Sequence, residues 1–390
     1  MSRLIIKSII IMAAIFSAAC VSNVSTSTGK EELGETLTAL VQEAIDGSFG
    51  SVPGVTLSIK SRGKDVDAAI GIGYDSKKKE NELSIDQPFR IASITKTFVA
   101  VSILRLHEMD SLSVTDPISK YISKDHQEIL ISDEYDLSAI TILHCLQHIS
   151  GLFDYAVGTK YKDKVLGNPD KRWTRTEQLQ GAVDWGDKLG DPGDVYEYSD
   201  TGYILLGEII EYFFDGDLAA GIRTLVDFEN LGLAHTWLES LEDKPIGMKD
   251  PVHCYFGRED VIDFDPSLDL YGGGGLISTT GDLVKFVDGI FNGEIFDSEE
   301  TLNLMLTKPD MNEPVGEQRD NKREYRCGIV GMPLYGKEIF AHSGIWDVYV
   351  LHDPTTNTSI ATNFTNRHRY RMIKKVVKTI DQLPDVNSAL

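Results

Sequence analysis

A serine and a lysine stand three positions apart in Ser93-Ile94-Thr95-Lys96, just ahead of the apolar run Phe98 to Leu106. On a helix that spacing puts both side chains on one face, a nucleophile beside a base. The amino end of a helix is electropositive and favours negative charge developing on a serine oxygen. An ammonium accepts no proton, so this chemistry asks for a Lys96 with a lowered pKa, which burial near a positive helix end would provide. Ser27 to Lys30, Ser61 to Lys64 and Ser76 to Lys79 spell the same pattern, but in polar, Gly-rich or multiply charged stretches. Ser93 alone opens a segment apolar on nearly every side, the mark of a buried central helix. Taken singly, such a tetrad more often means a helix-capping serine and a surface lysine, so its company decides.

Three further stretches supply that company. Pro192-Gly193 is followed by Tyr196-Glu197-Tyr198-Ser199-Asp200-Thr201-Gly202-Tyr203, which leads into an apolar helical run. Tyr271 precedes the glycines 272 to 275, and His342-Ser343-Gly344 lies on a strand-like segment near the carboxyl end. Glycines 272 to 275 lack the strand and helix context of a phosphate-binding loop and read as a tight turn. Together with Phe89 to Phe98, Leu112 to Tyr121 and His148-Ile149-Ser150-Gly151-Leu152, this order resembles the β-lactamase-related serine hydrolases. That family includes class C β-lactamases, D-alanyl-D-alanine carboxypeptidases and related esterases. The resemblance extends from about Val52 to Asn363.

The resemblance implies that Ser93 is the nucleophile, that Lys96 activates it, and that Tyr198 is the tyrosine of the family's Tyr-x-Asn element. Its phenol would relay the serine proton to the leaving group, which requires a pKa well below about 10 under the pull of a cationic Lys96. The two would titrate as a coupled pair. His342-Ser343-Gly344 matches the strand element that is Lys-Thr-Gly or His-Thr-Gly in relatives. There Gly344 would let a substrate backbone approach, and His342 or Ser343 would bond its carboxylate or carbonyl. The backbone N–H groups of Ser93 and Ile345 would form the oxyanion hole. His148 reads as a satisfied structural histidine. Two departures stand out. Asp200 replaces the family's Asn, an acceptor-only carboxylate where relatives have a donor, and pairing with Lys96 would raise the lysine pKa and shift the burden to Tyr198. Ile345-Trp346-Asp347 adds bulk and charge after Gly344 where small residues are usual. Both disfavour efficient β-lactam hydrolysis.

The elements that must position these groups are legible in outline. Leu33, Leu37, Leu40, Val41, Ala44 and Ile45 recur at helical spacing and stop at Gly47. Gly54 to Lys60 and Val66 to Gly73 read as a hairpin. Strand character returns near Leu276 and at Glu338 to His342, Val348 to His352 and Thr358 to Asn363, and Tyr370 to Leu383 closes with an amphipathic helix. The expected fold is α+β: an antiparallel sheet flanked by the terminal helices, interrupted by an all-helical domain. The expected boundaries are 33–110 with 266–384 for the α/β domain and 111–265 for the helical one, the cleft between them being the place for a ligand.

With 390 residues, 42% of them hydrophobic, the chain can bury a large core. Residues 1–19 carry Arg3 and Lys7, an apolar stretch and the small residues Ser17-Ala18-Ala19 before Cys20, which reads as a bacterial export signal. Cys20 is then a lipidation candidate and 20–32 a polar tether. Removing 1–19 takes two positive charges and no acid, so the formal charge goes from −22 to −24. Such a surface repels nucleic acid. Cys145, Cys254 and Cys327 are widely spaced and form neither a disulfide scaffold nor a zinc site, though one pair could bridge. No cofactor or metal is expected. The sequence therefore describes an exported, monomeric serine hydrolase of the bacterial cell envelope, either lipid-anchored or, after ordinary signal cleavage, periplasmic, with membrane contact only through a lipid. It would act through an acyl-enzyme on a peptide, amide or ester, in the manner of a D-alanyl peptidase or esterase. The alternatives are a class C-like β-lactamase and an envelope binding protein that has lost turnover. No Gly-x-Ser-x-Gly occurs, which excludes the α/β-hydrolase pattern.

Overall fold

The amphipathic helices Thr28–Asp46 and Tyr370–Asp381 turn Leu33, Leu37 and Val41, and Met372, Ile373 and Val376, toward one shared apolar layer. That layer covers one face of an eight-stranded antiparallel sheet in a computed structural model that describes residues 20–21, 28–47, 52–311, 324–364 and 370–386. The expected export signal, 1–19, lies outside the described residues. The sheet order is Cys20–Val21, Val66–Gly73, Gly54–Ser61, Thr358–Phe364, Val348–Asp353, Lys337–Gly344, Val330–Leu334 and Glu324–Tyr325. Strands from both ends of the sequence meet at its centre, where Thr362 faces Leu57. The chain therefore cannot complete the sheet until the long intervening segment has been traversed.

The opposite face packs on Thr280–Phe291, and against that helix lies Thr95–Glu108, which is buried on nearly every side. Phe98 stacks on Phe286 at 3.6 Å between ring centroids and meets Phe228 edge-on. Each such side chain fully removed from water contributes about 1.5–3 kcal/mol. Between these layers the chain runs through seven helices from Lys124–Ile131 to Phe228–Leu231. A small second sheet joins Phe89–Arg90, Leu276–Ser278 and Trp237–Leu238.

The sheet with its terminal helices is the arrangement expected from the sequence. Three details differ. The tether does not reach 32, because helical backbone begins at Thr28 and Cys20–Val21 pairs with Val66–Gly73. Leu276 belongs to the small sheet. Val330–Leu334 and Glu324–Tyr325 extend the main sheet although neither shows strand periodicity, since Gly331 and Pro333 interrupt one and the other has only two residues. The three cysteines Cys145, Cys254 and Cys327 are buried and free, so the possible bridge among them is absent.

Candidate active site

Ser93 does not lie on the helix itself. It sits in a 3-10 turn, Ala92–Ile94, that feeds Thr95–Glu108, and Ala92 ahead of it holds φ 47°, a left-handed conformation that costs a non-glycine residue roughly 1–2 kcal/mol. Two neighbours hold the turn in place. The small sheet ties it through Ile91 N–H to the Leu276 carbonyl at 3.0 Å. Strand Lys337–Gly344 ends against it so closely that a Cβ on Gly344 would lie 2.4 Å from the Ile91 carbonyl oxygen. Gly344 is therefore required by the protein's own backbone, where the sequence pointed to a substrate backbone.

Lys96 is 0% exposed, so all three N–H donors of its ammonium must be met inside the protein. They are met. Nζ donates to Ser93 Oγ at 3.1 Å and to the Gly273 carbonyl at 2.6 Å, and it is in contact with the Asp200 carboxylate. Burial opposes the charge most strongly, but Asp200, with Tyr198 and Asp269, more than offsets it and raises the lysine pKa above its ordinary value. The lowered pKa expected from the sequence is thus corrected, and the cause is Asp200, the departure noted there.

Asp200 is the first residue of helix Asp200–Phe213, where a carboxylate meets the positive end of the helix. Its N–H donates to Asp154 Oδ1 at 3.2 Å, and Thr201 Oγ1 donates to the Phe153 carbonyl at 2.7 Å, so the loop after Leu152 caps this helix. Tyr198 precedes it, its ring centroid 5.0 Å from Lys96 Nζ. Burial pushes its phenol up to about 12, with Lys96 pulling down and Asp200 pushing up. The low-pKa phenolate expected from the sequence is not what this surrounding produces. Behind Tyr198 lies His148, whose ring centroid is 4.2 Å away and whose Nδ1 accepts the Ser199 N–H at 3.1 Å. Its proton is then on Nε2, which has no partner among the described residues, so this histidine is only half satisfied. Burial holds it neutral, its pKa well below the ordinary range.

His342 lines the cleft, but both of its ring nitrogens are taken up within the protein. It is 5% exposed, and its two ring nitrogens are engaged with the Ser343 carbonyl at 3.0 Å and the Tyr325 hydroxyl at 3.1 Å. Burial, and after it the charge of Lys96, hold its pKa near 3. Ser343 and Ile345 remain open to the cleft, which also includes Ser93, Tyr198, Asp200 and Gly344. The cleft has a volume of about 710 Å³ and is walled by Tyr155, Tyr161, Val165, Phe256, Ile345 and Trp346.

The structure thus brings Ser93, Lys96, Tyr198, Asp200, Ser343 and Ile345 to one place and leaves His342 as a neutral support. Sequence reasoning missed Asp154, Asp269 and the Gly273 carbonyl. The glycine run that reads as a turn passes between Asp200 and Asp269, and a Cβ on Gly274 would fall 2.1 Å from Asp269 Oδ1. A run of glycines directly after an aspartate and a tyrosine was the available signal, with the second aspartate two residues past Leu152.

A family model described as Beta-lactamase matches residues 37–375. The chain belongs to that family. Penicillin-binding protein 4* of Bacillus subtilis (strain 168) is 25% identical over 310 residues, 75% of this chain and 63% of that protein. The chain thus spans less than two thirds of this relative's length. D-amino acid amidase from Ochrobactrum anthropi SV3, in complex with L-phenylalanine amide, matches with a TM-score of 0.74 over 90% of this chain and 99% of its own, at 22% identity. A D-stereospecific amidohydrolase from Streptomyces sp. matches with a TM-score of 0.71 over 88% of this chain and 97% of its own, at 21% identity. At these identities the two structures share the family's fold.

Proposed function

We propose that this protein is a serine hydrolase that forms an acyl-enzyme at Ser93 with an amide, peptide or ester. The observation that carries the reading is the Lys96 ammonium, divided among Ser93 Oγ, Gly273 O and the Asp200 carboxylate at the floor of an open cleft. Lys96 held as a cation is no free base, but a proton can cross it. As Ser93 Oγ attacks the carbonyl carbon, its proton passes to Nζ while a second Nζ proton passes to Asp200. The N–H groups of Ser93 and Ile345 would hold the carbonyl oxygen as charge develops. Tyr198, protonated at neutral pH, gives its proton to the leaving group as the C–N or C–O bond breaks, and Lys96 returns the proton from Asp200 to Tyr198. Water then enters by the same steps reversed and frees the acid.

The amide class draws support from the amidase and amidohydrolase that share the fold. The Asp200 carboxylate and the neutral His342 set the site apart from one built to hold a substrate carboxylate, which weighs against a β-lactamase. The rival reading, a binding protein without turnover, draws on the same Lys96–Asp200 contact. Intact-mass analysis after fluorophosphonate treatment separates them. We expect one adduct on Ser93, hydrolysis of a p-nitrophenyl ester, and loss of both in Ser93→Ala. Full activity in that variant would end the assignment, and labelling without hydrolysis of any ester or amide would favour the binding protein.

A further inference from the structure

The buried cations beside the cleft already have their counter-charges. Lys96 is in contact with Asp200. Arg90 is ion-paired with Glu239 at 2.7 Å and donates to the Val261 and Ile262 carbonyls. Lys162 stands exposed at the rim, over the Phe256 ring. Two carboxylates that line the cleft are left over. Asp154 is 7% exposed; its Oδ1 takes the N–H groups of Ala156 and Asp200, and its Oδ2 has no partner among the described residues. Asp269 packs against Gly274, and its carboxylate has neither a hydrogen bond nor an ion pair among the described residues. Burial and the nearby charge of Asp200 push the two up to about 7 and about 6. Carboxylates in this state gain from any cation that reaches them.

A substrate carboxylate entering this cleft would meet two carboxylates and no uncommitted cation at the floor. An ammonium would meet two acceptors. The remaining wall is aromatic and aliphatic, with Tyr155, Tyr161, Val165, Phe256, Ile345 and Trp346, which suits an organic cation rather than a metal ion, and about 710 Å³ is ample for an amino-acid derivative. We infer that the cleft takes an acyl group with a free ammonium beside its carbonyl and an apolar side chain, held by Asp154 and Asp269: an amino-acid amide or ester with an unblocked amino group. This rests on the reading of Ser93 as the nucleophile of the same cleft.

Calorimetry on Ser93→Ala at pH 7 tests the inference without turnover. Phenylalanine amide, largely a cation there, should bind at least tenfold more tightly than N-acetylphenylalanine amide, and adding Asp269→Asn should shrink that ratio at least fivefold. Equal binding, or preference for the acetylated ligand, overturns the proposal. If the double variant fails to fold, the wild-type ratio of kcat/KM for phenylalanine p-nitroanilide over its N-acetyl and N-succinyl forms decides instead: it should exceed ten and follow the order ammonium, neutral, carboxylate. A ratio near one, or the reverse order, overturns the proposal equally. Labelling of wild-type Ser93 by fluorophosphonate keeps the two readings apart. Labelling without ammonium preference overturns this inference alone, whereas absence of labelling removes the hydrolase and leaves ammonium binding to be judged by calorimetry.

Discussion

Asp200 decides how the other residues of the site can act. It fixes Lys96 as a cation, and Lys96 in turn occupies Ser93 Oγ as a donor at rest. Proton transfer by a positioned group is worth roughly a hundredfold to ten-thousandfold in rate. Asp200→Asn should therefore lower kcat for a neutral p-nitrophenyl ester at pH 7 by about a hundredfold or more. The sign of the accompanying pH change follows from the forces on Lys96. Burial lowers its pKa and Asp200 raises it, so removing the carboxylate brings the pKa down and activity should recover at alkaline pH. The same change gives back an amide donor, so the ratio of cephalosporin to ester kcat/KM should rise about tenfold. An unchanged kcat across pH 6 to 10 would rule out Asp200 as the proton acceptor.

At the scale of elements, the site is assembled where three backbone segments touch. The turn Ala92–Ile94 is gripped between the small sheet and the end of strand Lys337–Gly344, and the glycine run delivers the Gly273 carbonyl to Lys96. Gly344 is the tightest of these contacts. An added Cβ would meet the Ile91 carbonyl at 2.4 Å and Val348 Cγ1 at 2.6 Å, and backbone on one side cannot yield as a flexible side chain would. The strand must then retreat from Ser93, taking the Ile345 N–H with it. We expect Gly344→Ala to cost about 1–3 kcal/mol in stability and at least a hundredfold in kcat/KM, since small displacements of reacting groups are expensive. Thermal unfolding and ester kinetics measured together check this. A variant with wild-type kinetics would show that strand and turn do not depend on each other.

For the whole molecule, the leftover carboxylates make stability depend on pH. Asp154 faces Asp200 and Lys96, and Asp269 faces Asp200, Lys96, Arg90 and Glu239; both carboxyls sit above the ordinary value of 3.8, at about 7 and about 6. The folded protein therefore binds protons that the unfolded chain releases. Their stabilising contribution is full below about pH 4 and is lost as pH rises through 6 and 7. A tenfold gain in proton affinity on folding is worth about 1.4 kcal/mol, and since both carboxyls answer to the same charges on Asp200 and Lys96, their combined contribution should be roughly 1–3 kcal/mol. The buried neutral histidines His148 and His342 contribute in the opposite sense, so the effect is read as a difference: in denaturant unfolding Asp154→Asn, whose amide oxygen can still accept the two N–H groups, should gain stability relative to the wild type as pH rises from 5 to 8. A profile as steep in the variant as in the wild type would clear Asp154 of the effect.

The division between what the sequence determined and what the tertiary structure decided follows the range of the forces. Periodicity of apolar residues is local, and it was enough to place the terminal helices, the hairpin and the central strands. The spacing of Ser93 and Lys96 and the order of the later motifs were enough to gather Tyr198, Asp200 and Gly344 around them. Protonation states are not local. The sequence could say that Asp200 replaced an asparagine, but whether it paired with Lys96 depended on bringing residues 96, 200 and 273 together around one ammonium. The same holds for His342, whose neutrality comes from burial and the charge of Lys96, distant in the sequence, and for Asp154 and Asp269, which no motif marked. Burial and the electrostatic field act through space, so the charge of this site could be known only once the chain had folded around it.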